Sequence, residues 1–433
     1  MTAREAALKA LYSIEKSGAY TNAALKTALR QDDFSAQDKG LITEIIYGII
    51  SNKTALDFII SKFSKVKIKK MTPWVLNILR MGIYQIYYMD KIPANAACNE
   101  SVKLAKKYSH SAASGFVNGV LRASARGVES FQFPKTGDTA ADLSLEYSYP
   151  EWITARIIEE YGAETCEELF KENRNAHSLH IRVNPLKTDK ANLSDILSKE
   201  GLLCENCEIT ESSLFVKGKL NIEKSNAYKD GLYSLQNISS QKTVKVLDPK
   251  PNETIIDMCA APGGKSCAIA ERMGNNGKIL AFDVFEHKID LIMASAKRLG
   301  IDIINAKVMD SSKKCDELLE SADRVLADVP CSGLGVLHKK PDIKWSRCEE
   351  EVTELCKIQA EILKNAALYV KDGGVLVYST CTILPEENRL QIEEFLKNHK
   401  DFKKEYEEQI LTSVYGESGF YICKMVKEKK QKK

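Results

Sequence analysis

IIDMCAAPGGKS, residues 255–266, passes from a short apolar run through a loop of small residues with two glycines into the start of a helix. Three kinds of ligand loop compete for this pattern. A Walker-type phosphate loop needs a glycine where Cys259 stands, with four residues between it and Gly264-Lys265, so that reading fails by one position. The dinucleotide pattern G-x-G-x-x-G is absent. What remains is an acid at a strand end, Asp257, glycines that let a ligand approach the backbone, and a helix N-terminus suited to a carboxylate.

Outward from this loop the chain alternates short apolar strands with amphipathic helices. TIIDM, KILAFD, IINAKV, DRVLAD and GVLVYS read as strands, and EHKIDLIMASAKRLG and EEEVTELCKIQAEILKNAALYV as helices between them. This rhythm predicts an α/β doubly wound, Rossmann-like domain whose ligands bind at the carboxyl ends of the strands. GFYICKMV near the end reads as an antiparallel edge strand.

Asp257, Asp283 and Asp310 close three successive strands. Any one of them is as readily a helix cap or a solvated turn residue. Together they match S-adenosylmethionine: a carboxylate for the helix N-terminus, an ammonium for Asp257, and a ribose diol for Asp283, which lies 26 residues after Asp257, near the spacing of the ribose-binding acid in such folds. Asp310 is placed for the adenine or its ribose.

Two further strands end in thiols. DRVLADVPCSG carries Asp328 and Cys331, and VYSTCTI (377–383) carries Cys381. A single Cys is ordinarily a small core residue. Two at neighbouring strand ends, one beside an acid, suggest covalent chemistry next to a methyl donor. Methylation of a pyrimidine at carbon 5 needs this, because a thiolate adding to carbon 6 turns carbon 5 into a nucleophile. Asp328 is placed to hold the ring nitrogen and exocyclic amine. Lys265 would lower a thiol pKa or orient the base, or else is a surface residue of the first helical turn. Either Cys331 or Cys381 suits the nucleophile's role on these grounds.

The first part of the chain is different. Residues 1–142 hold 20 Lys and Arg against 12 Asp and Glu, a balance of +8, and the remainder holds 42 against 47. The helical period runs throughout residues 1–130, as in REAALKALYSIEKSG, so an all-α bundle with an RNA or DNA partner is expected. A Lys-rich solvated surface is the plainer alternative. GVESFQFPKTGDTAADLS loses the period, and residues 131–144 read as a linker. Residues 145–240 read as a small α+β module, 241–427 as the catalytic domain and 428–433 as a basic tail. The twelve Cys are scattered and no secretory pattern precedes them, so reduced thiols in a cytoplasmic protein are expected. Cys204 and Cys207 form a lone C-x-x-C without a second half-site, and no metal is expected.

DMCAAPGGKS, LADVPCSGLGV with KKPDIKW, YSTCTILPEEN and GFYICKM, in this order, resemble the RsmB (Sun/Fmu) family of bacterial 16S rRNA cytosine-5 methyltransferases, within the NOL1/NOP2/Sun superfamily. KIPANAACNESVKLAKKYS and GFVNGVLR are similar to the NusB-like RNA-binding domain of that family, and LHIRVNPLKT and YSLQNISS to its small α+β module. The resemblance covers essentially the whole chain. It implies a class I methyltransferase domain, S-adenosylmethionine as cofactor, and Cys381 as nucleophile with Cys331 assisting product release. It also implies a cofactor segment of Cys259, Ala260, Ala261, Pro262, Gly263, Gly264 and Lys265, with Asp283, Asp310 and Asp328 as further contacts. The partner implied is 16S rRNA, bound by a monomer, and LHKKPDIKW is expected to touch RNA beside the target base. The same chemistry on tRNA, or a non-enzymatic NusB-like antitermination factor, are the rival readings. A pure binder has no need of both cysteines.

Overall fold

The computed structural model describes residues 1–175, 179–218, 220–222, 224–411 and 419–429. It divides into two compact units, one of residues 1–171 with 339–346, the other of 172–338 with 347–433. The end of the expected basic tail, residues 430–433, lies outside the described residues.

The first unit is helical: α1 (Ala3–Ser17), α2 (Thr21–Leu29), α3 (Ala36–Ser51), α4 (Lys53–Phe63), α5 (Pro73–Tyr88), α6 (Ala94–Tyr108), α7 (Ser111–Gly127), α8 (Thr139–Tyr147), α9 (Glu151–Tyr161) and α10 (Ala163–Asn175). Their ends are written in the sequence. Thr2 and Ser35 accept from the N–H groups of Glu5 and Asp38, and Gly18 closes α1 with a left-handed backbone. Thr72 caps α5, with Pro73 at its first position. Ile42, Ile45, Ile46 and Ile49 of α3 are buried with Ile59, Leu79 and Leu121. Gly48 is required there, because a Cβ would stand 1.9 Å from the Tyr84 ring. The period-free stretch read as a linker contains the start of α8, and the helical unit runs on to Lys171. Asp138 caps α8, so the Asp and Thr that suggested a linker are a helix start.

Residues 339–346 pack as part of this helical unit. The Trp345 indole N–H donates to the carbonyl of Ile50 and the Lys344 ammonium to that of Ser51, both at 2.7 Å. These are carbonyls of the last turn of α3, which lack helical partners and attract positive charge. Lys344 is only 3% exposed and lies 4.1 Å from the Tyr149 ring centre. In KKPDIKW, therefore, Lys344 and Trp345 close a helix instead of facing an RNA.

The second unit holds two sheets. β1 (Leu179–Val183), β2 (Leu203–Asn206), β3 (Ser213–Lys217) and β4 (Tyr233–Leu235) form an antiparallel sheet in the order β2-β3-β1-β4. It carries α11 (Lys190–Lys199) and α12 (Asn226–Lys229). The larger sheet comprises β5 (Thr254–Asp257), β6 (Lys278–Asp283), β7 (Ile304–Val308), β8 (Ala322–Asp328), β9 (Val370–Thr380), β10 (Phe402–Ile410) and β11 (Phe420–Lys427). Its order is β10-β11-β9-β8-β5-β6-β7, and the run from β9 to β7 is parallel. GFYICKMV is antiparallel as expected but lies inside the sheet, between β9 and β10. The Lys- and Glu-rich strand Phe402–Ile410, whose charges mask its strand period, takes the edge.

Strand alternation sends Ile255, Ile279, Leu326 and Val377 to one face and Ile256, Val325 and Leu376 to the other. α14 (Gly264–Arg272) and α15 (Glu286–Leu299) cover the first face with α13 (Ile238–Leu247), while helices Glu349–Tyr369 and Arg389–Asn398 cover the second. Because β5 has β6 on one side and β8 on the other, the strand order reverses there, and a crevice opens beyond the carboxyl ends.

Candidate active site

A cavity of about 530 Å³ occupies this crevice. Cys259, Asp283, Asp310, Asp328, Cys331 and Cys381 all line it, together with Ala261. Five strand ends, distant in sequence, are thus brought to one space of a size usual for small-molecule sites.

At the β8–β9 end the two thiols lie 3.2 Å apart, and the Cys381 N–H points at the Cys331 sulfur at 3.3 Å. Two thiols this close do not both ionise. Their contact, burial and the nearby Glu387 push the Cys331 thiol well above its ordinary range. The Gly335 N–H holds the Cys381 carbonyl at 3.0 Å. Gly335 is needed here, since a Cβ would sit 2.0 Å from the Gly419 carbonyl oxygen.

Beneath the thiols is a brace formed by further residues of YSTCTILPEEN. Glu387 is fully buried and accepts from the N–H and hydroxyl of Ser332 and, at 2.9 Å, from Gln359. The Ser332 and Thr382 hydroxyls meet at 2.9 Å. Asn388 accepts from Thr380 and donates to the carbonyl of Thr382. The residues next to each cysteine are thereby tied together. The available signal is the polar run Glu386-Glu387-Asn388 directly after the apolar Ile383-Leu384-Pro385.

Asp328 is fixed from two sides: one oxygen accepts from the Ser379 hydroxyl at 2.7 Å, the other meets the Lys265 ammonium at 2.6 Å. Lys265 is therefore no surface residue. Its side chain is 13% exposed, and its ammonium lies 5.2 Å from the Phe420 ring centre.

At the β6–β7 end, Asp283 accepts from the Phe285 N–H at 3.2 Å and pairs with Lys288 at 3.4 Å. Asp310 accepts from the Ser312 N–H and hydroxyl, which hold its carboxyl below the usual range, and pairs with Lys313 at 3.3 Å. Val284 and Phe285, about half exposed, and Ile362 supply apolar wall.

The glycine loop differs from expectation in two ways. Asp257 does not line the cavity; it is 1% exposed and accepts from the Ser266 hydroxyl at 2.6 Å, and burial pushes its carboxyl up to about 7. It ties the loop to the first turn of α14 and is not an open ligand for an ammonium. Gly263, with φ 99°, is demanded by packing, because a Cβ would be 3.0 Å from the Ile292 backbone. Ala260 is buried, its N–H bonded to the Phe282 carbonyl, and the Ala261–Pro262 bond is cis. α14 has no acid in its first turn, leaving its N-terminus open to a carboxylate. Arg182, near the end of β1, braces this helix: it meets Glu271 through two bonds of 2.6 and 3.0 Å and donates to the Gly264 carbonyl at 2.8 Å. The small module thus holds the loop that faces the cavity.

The residues present fit S-adenosylmethionine: carboxylates at two successive strand ends for hydroxyls, apolar wall for a base, and an open helix N-terminus. Among the described residues no cluster suited to a metal ion occurs, and no helix is long and apolar enough to cross a membrane.

Comparison with known proteins agrees with each part. The signature of the 16S rRNA methyltransferase RsmB/F family matches residues 244–424, that of the NusB family residues 1–126, and that of the RsmF/B-like ferredoxin-like domain residues 149–223. The probable ribosomal RNA small subunit methyltransferase B of Bacillus subtilis (strain 168) is 39% identical over 98% of both chains. That of Synechocystis sp. (strain ATCC 27184 / PCC 6803 / Kazusa) is 35% identical, over 94% of this chain and 91% of its own. Among solved structures, PH0851 is 28% identical over 98% of both chains, with a TM-score of 0.82.

Proposed function

The chain belongs to the ribosomal RNA small subunit methyltransferase B family, and on that premise we propose that it methylates carbon 5 of a cytidine in 16S rRNA through a covalent bond to Cys381. The observation that carries this reading is the pair of thiols 3.2 Å apart at neighbouring strand ends, in one cavity with Asp283, Asp310 and Asp328. Residues 259–265, with Asp283 and Asp310, would hold S-adenosylmethionine, which when bound would supply an electrophilic methyl group.

The Cys381 thiolate adds to carbon 6 of the cytosine, and the electron pair of the 5,6 double bond becomes available at carbon 5. After carbon 5 has gained the methyl group, a base takes its proton, the electron pair of that bond re-forms the 5,6 double bond, and the carbon–sulfur bond breaks to return the Cys381 thiolate. Asp328, held by Ser379 and Lys265, supports the ring through nitrogen 3 and the exocyclic amine. Cys331 assists release as the base: once Cys381 is bonded to carbon 6, the contact and charge that push the Cys331 thiol up are gone, so it gives its own proton to solvent and takes that of carbon 5. The base must leave its stack, since carbon 6 is attacked from its face. The protein works as a monomer in the cytoplasm.

The test incubates full-length protein with S-adenosylmethionine and a 16S rRNA transcript. Wild type is expected to produce one bisulfite-resistant cytidine. Cys331→Ala should accumulate a protein–RNA adduct stable to denaturation, and Cys381→Ala should form neither adduct nor product. An adduct from Cys381→Ala would overturn the assignment of the nucleophile. Absence of any 5-methylcytosine with wild type would overturn the function.

A further inference from the structure

Between Asp57 and Asp90 the sequence contains no carboxylate, yet it holds Lys62, Lys65, Lys67, Lys69 and Lys70 within nine residues. All five are exposed, on the segment that leads from α4 into α5. Among the described residues none of them makes an ion pair, and Lys62 lies 5.0 Å from the Phe58 ring centre. This is not the habit of the whole helical unit, where Lys103, Lys107 and Lys135 each meet a glutamate within 3.0 Å.

The segment is also built to keep its shape. Ile68 and Met71 pack on the helical core. The Ser64 hydroxyl accepts from the Val66 N–H and donates to the Val66 carbonyl, and a turn of helix is closed by bonds from Lys70 to Lys67 and Met71 to Ile68. Phe63 lies against Gly127, where a Cβ would stand 3.0 Å from its ring. That contact brings in the end of α7, which with α6 forms a second acid-free run from residue 101 to 128 and exposes Arg126 one residue before Gly127. Glu129 is the acid that follows. α5 begins just beyond the lysines, and its first turn is also free of acid.

Like charges held this close repel one another and gather counterions, a cost that a polyanion removes by displacing those ions. We infer that Lys62, Lys65, Lys67, Lys69 and Lys70, with Arg126, form a docking surface for the sugar-phosphate backbone of RNA. The inference rests on the reading that this chain acts on rRNA. Lysine offers point charges without base-reading geometry, so the surface contributes affinity and orientation, and little sequence choice.

The test is a full-length variant, K65A/K67A/K69A/K70A, beside K357A/K364A/K397A, three exposed lysines of the other unit that each pair with a glutamate. Affinity for a 16S rRNA transcript is measured from low to moderate salt. Each lost phosphate contact lowers the slope of log affinity against log salt by roughly 0.7–0.9, so the loss of four should take about 3 from the slope and weaken binding about 10- to 100-fold. The control should keep both values. Affinity for S-adenosylmethionine and the saturated rate on a short oligonucleotide with the target cytidine should not change. If wild type binds and methylates the transcript but the four-lysine variant keeps its slope, the docking surface is wrong and the function stands. If wild type shows no salt-dependent affinity for RNA, both readings fall. If polyglutamate of equal charge displaces the transcript as well as RNA does, the surface serves acidic proteins instead.

Discussion

At the β8–β9 end of the cavity, the loops carrying Cys331 and Cys381 are joined by residues about fifty positions apart, Ser332 with Glu387 and Ser332 with Thr382. At the β6–β7 end, Asp283 is held by Phe285 and Lys288, and Asp310 by Ser312 and Lys313, all within five residues of the acid they hold. The thiol end requires the whole sheet before it exists. The carboxylate end is assembled by single turns, and its lysines reach into solvent. Covalent attack needs two reacting atoms within a narrow range of distance and angle, whereas a cofactor exchanged at every turnover needs a site that can be entered and left.

The sharpest way to break this contrast is to remove the brace. Glu387→Ala should lower kcat about 100-fold, the order expected when a reacting group shifts by about 1 Å, and leave affinity for S-adenosylmethionine unchanged by calorimetry. A parallel loss of cofactor affinity would mean that the two ends are not separable. Asp283→Ala tests the other end. It should raise the KM for S-adenosylmethionine about 10- to 100-fold while kcat at saturation stays within about twofold, because a hydrogen bond to a charged group contributes roughly 1.5–3 kcal/mol. A fall in kcat alone would assign Asp283 to the chemistry.

A further test concerns stability and not turnover. Asp257 has a carboxyl raised to about 7 in the folded chain against an ordinary 3.8. The folded state then holds more protons than the unfolded one between these values, so stability falls as pH rises from about 4 to 7, by at most ~4 kcal/mol. Asp257→Asn should flatten that slope, read from denaturant midpoints at pH 5 and pH 8. An equal slope in both proteins would show that the buried carboxyl titrates normally.

The same contrast decides what could be read from the sequence. Strand ends and their acids follow from periodicity, so Asp283, Asp310, Asp328, Cys331 and Cys381 were found, and the structure brings them to one cavity. Glu387 and Arg182 act on partners 55 and 89 residues away and Asn388 on partners eight and six residues back, and no period marks either; only the apolar run just before them points to burial of Glu387 and Asn388. Lys265 was ambiguous for the same reason, until the pairing with Asp328 fixed it. Asp257 was misread because the end of a strand gives an acid its position but not the side to which its carboxyl turns. Asp138, read as part of a linker, shows how the residues that break one period also start the next helix.

Trp345 and Lys344 carry one more consequence. Residues 339–346 are counted with the helices although the chain on either side belongs to the other unit, so the polypeptide crosses between units at 171–172, 338–339 and 346–347. The protein is not a string of cassettes. A truncated enzyme starting at residue 172 would keep the indole and ammonium but lose the carbonyls of Ile50 and Ser51 that receive them. Such a fragment would carry a sticky aromatic loop eight residues after Cys331, and a comparison of its activity with the full chain would measure that defect as well as the missing helices.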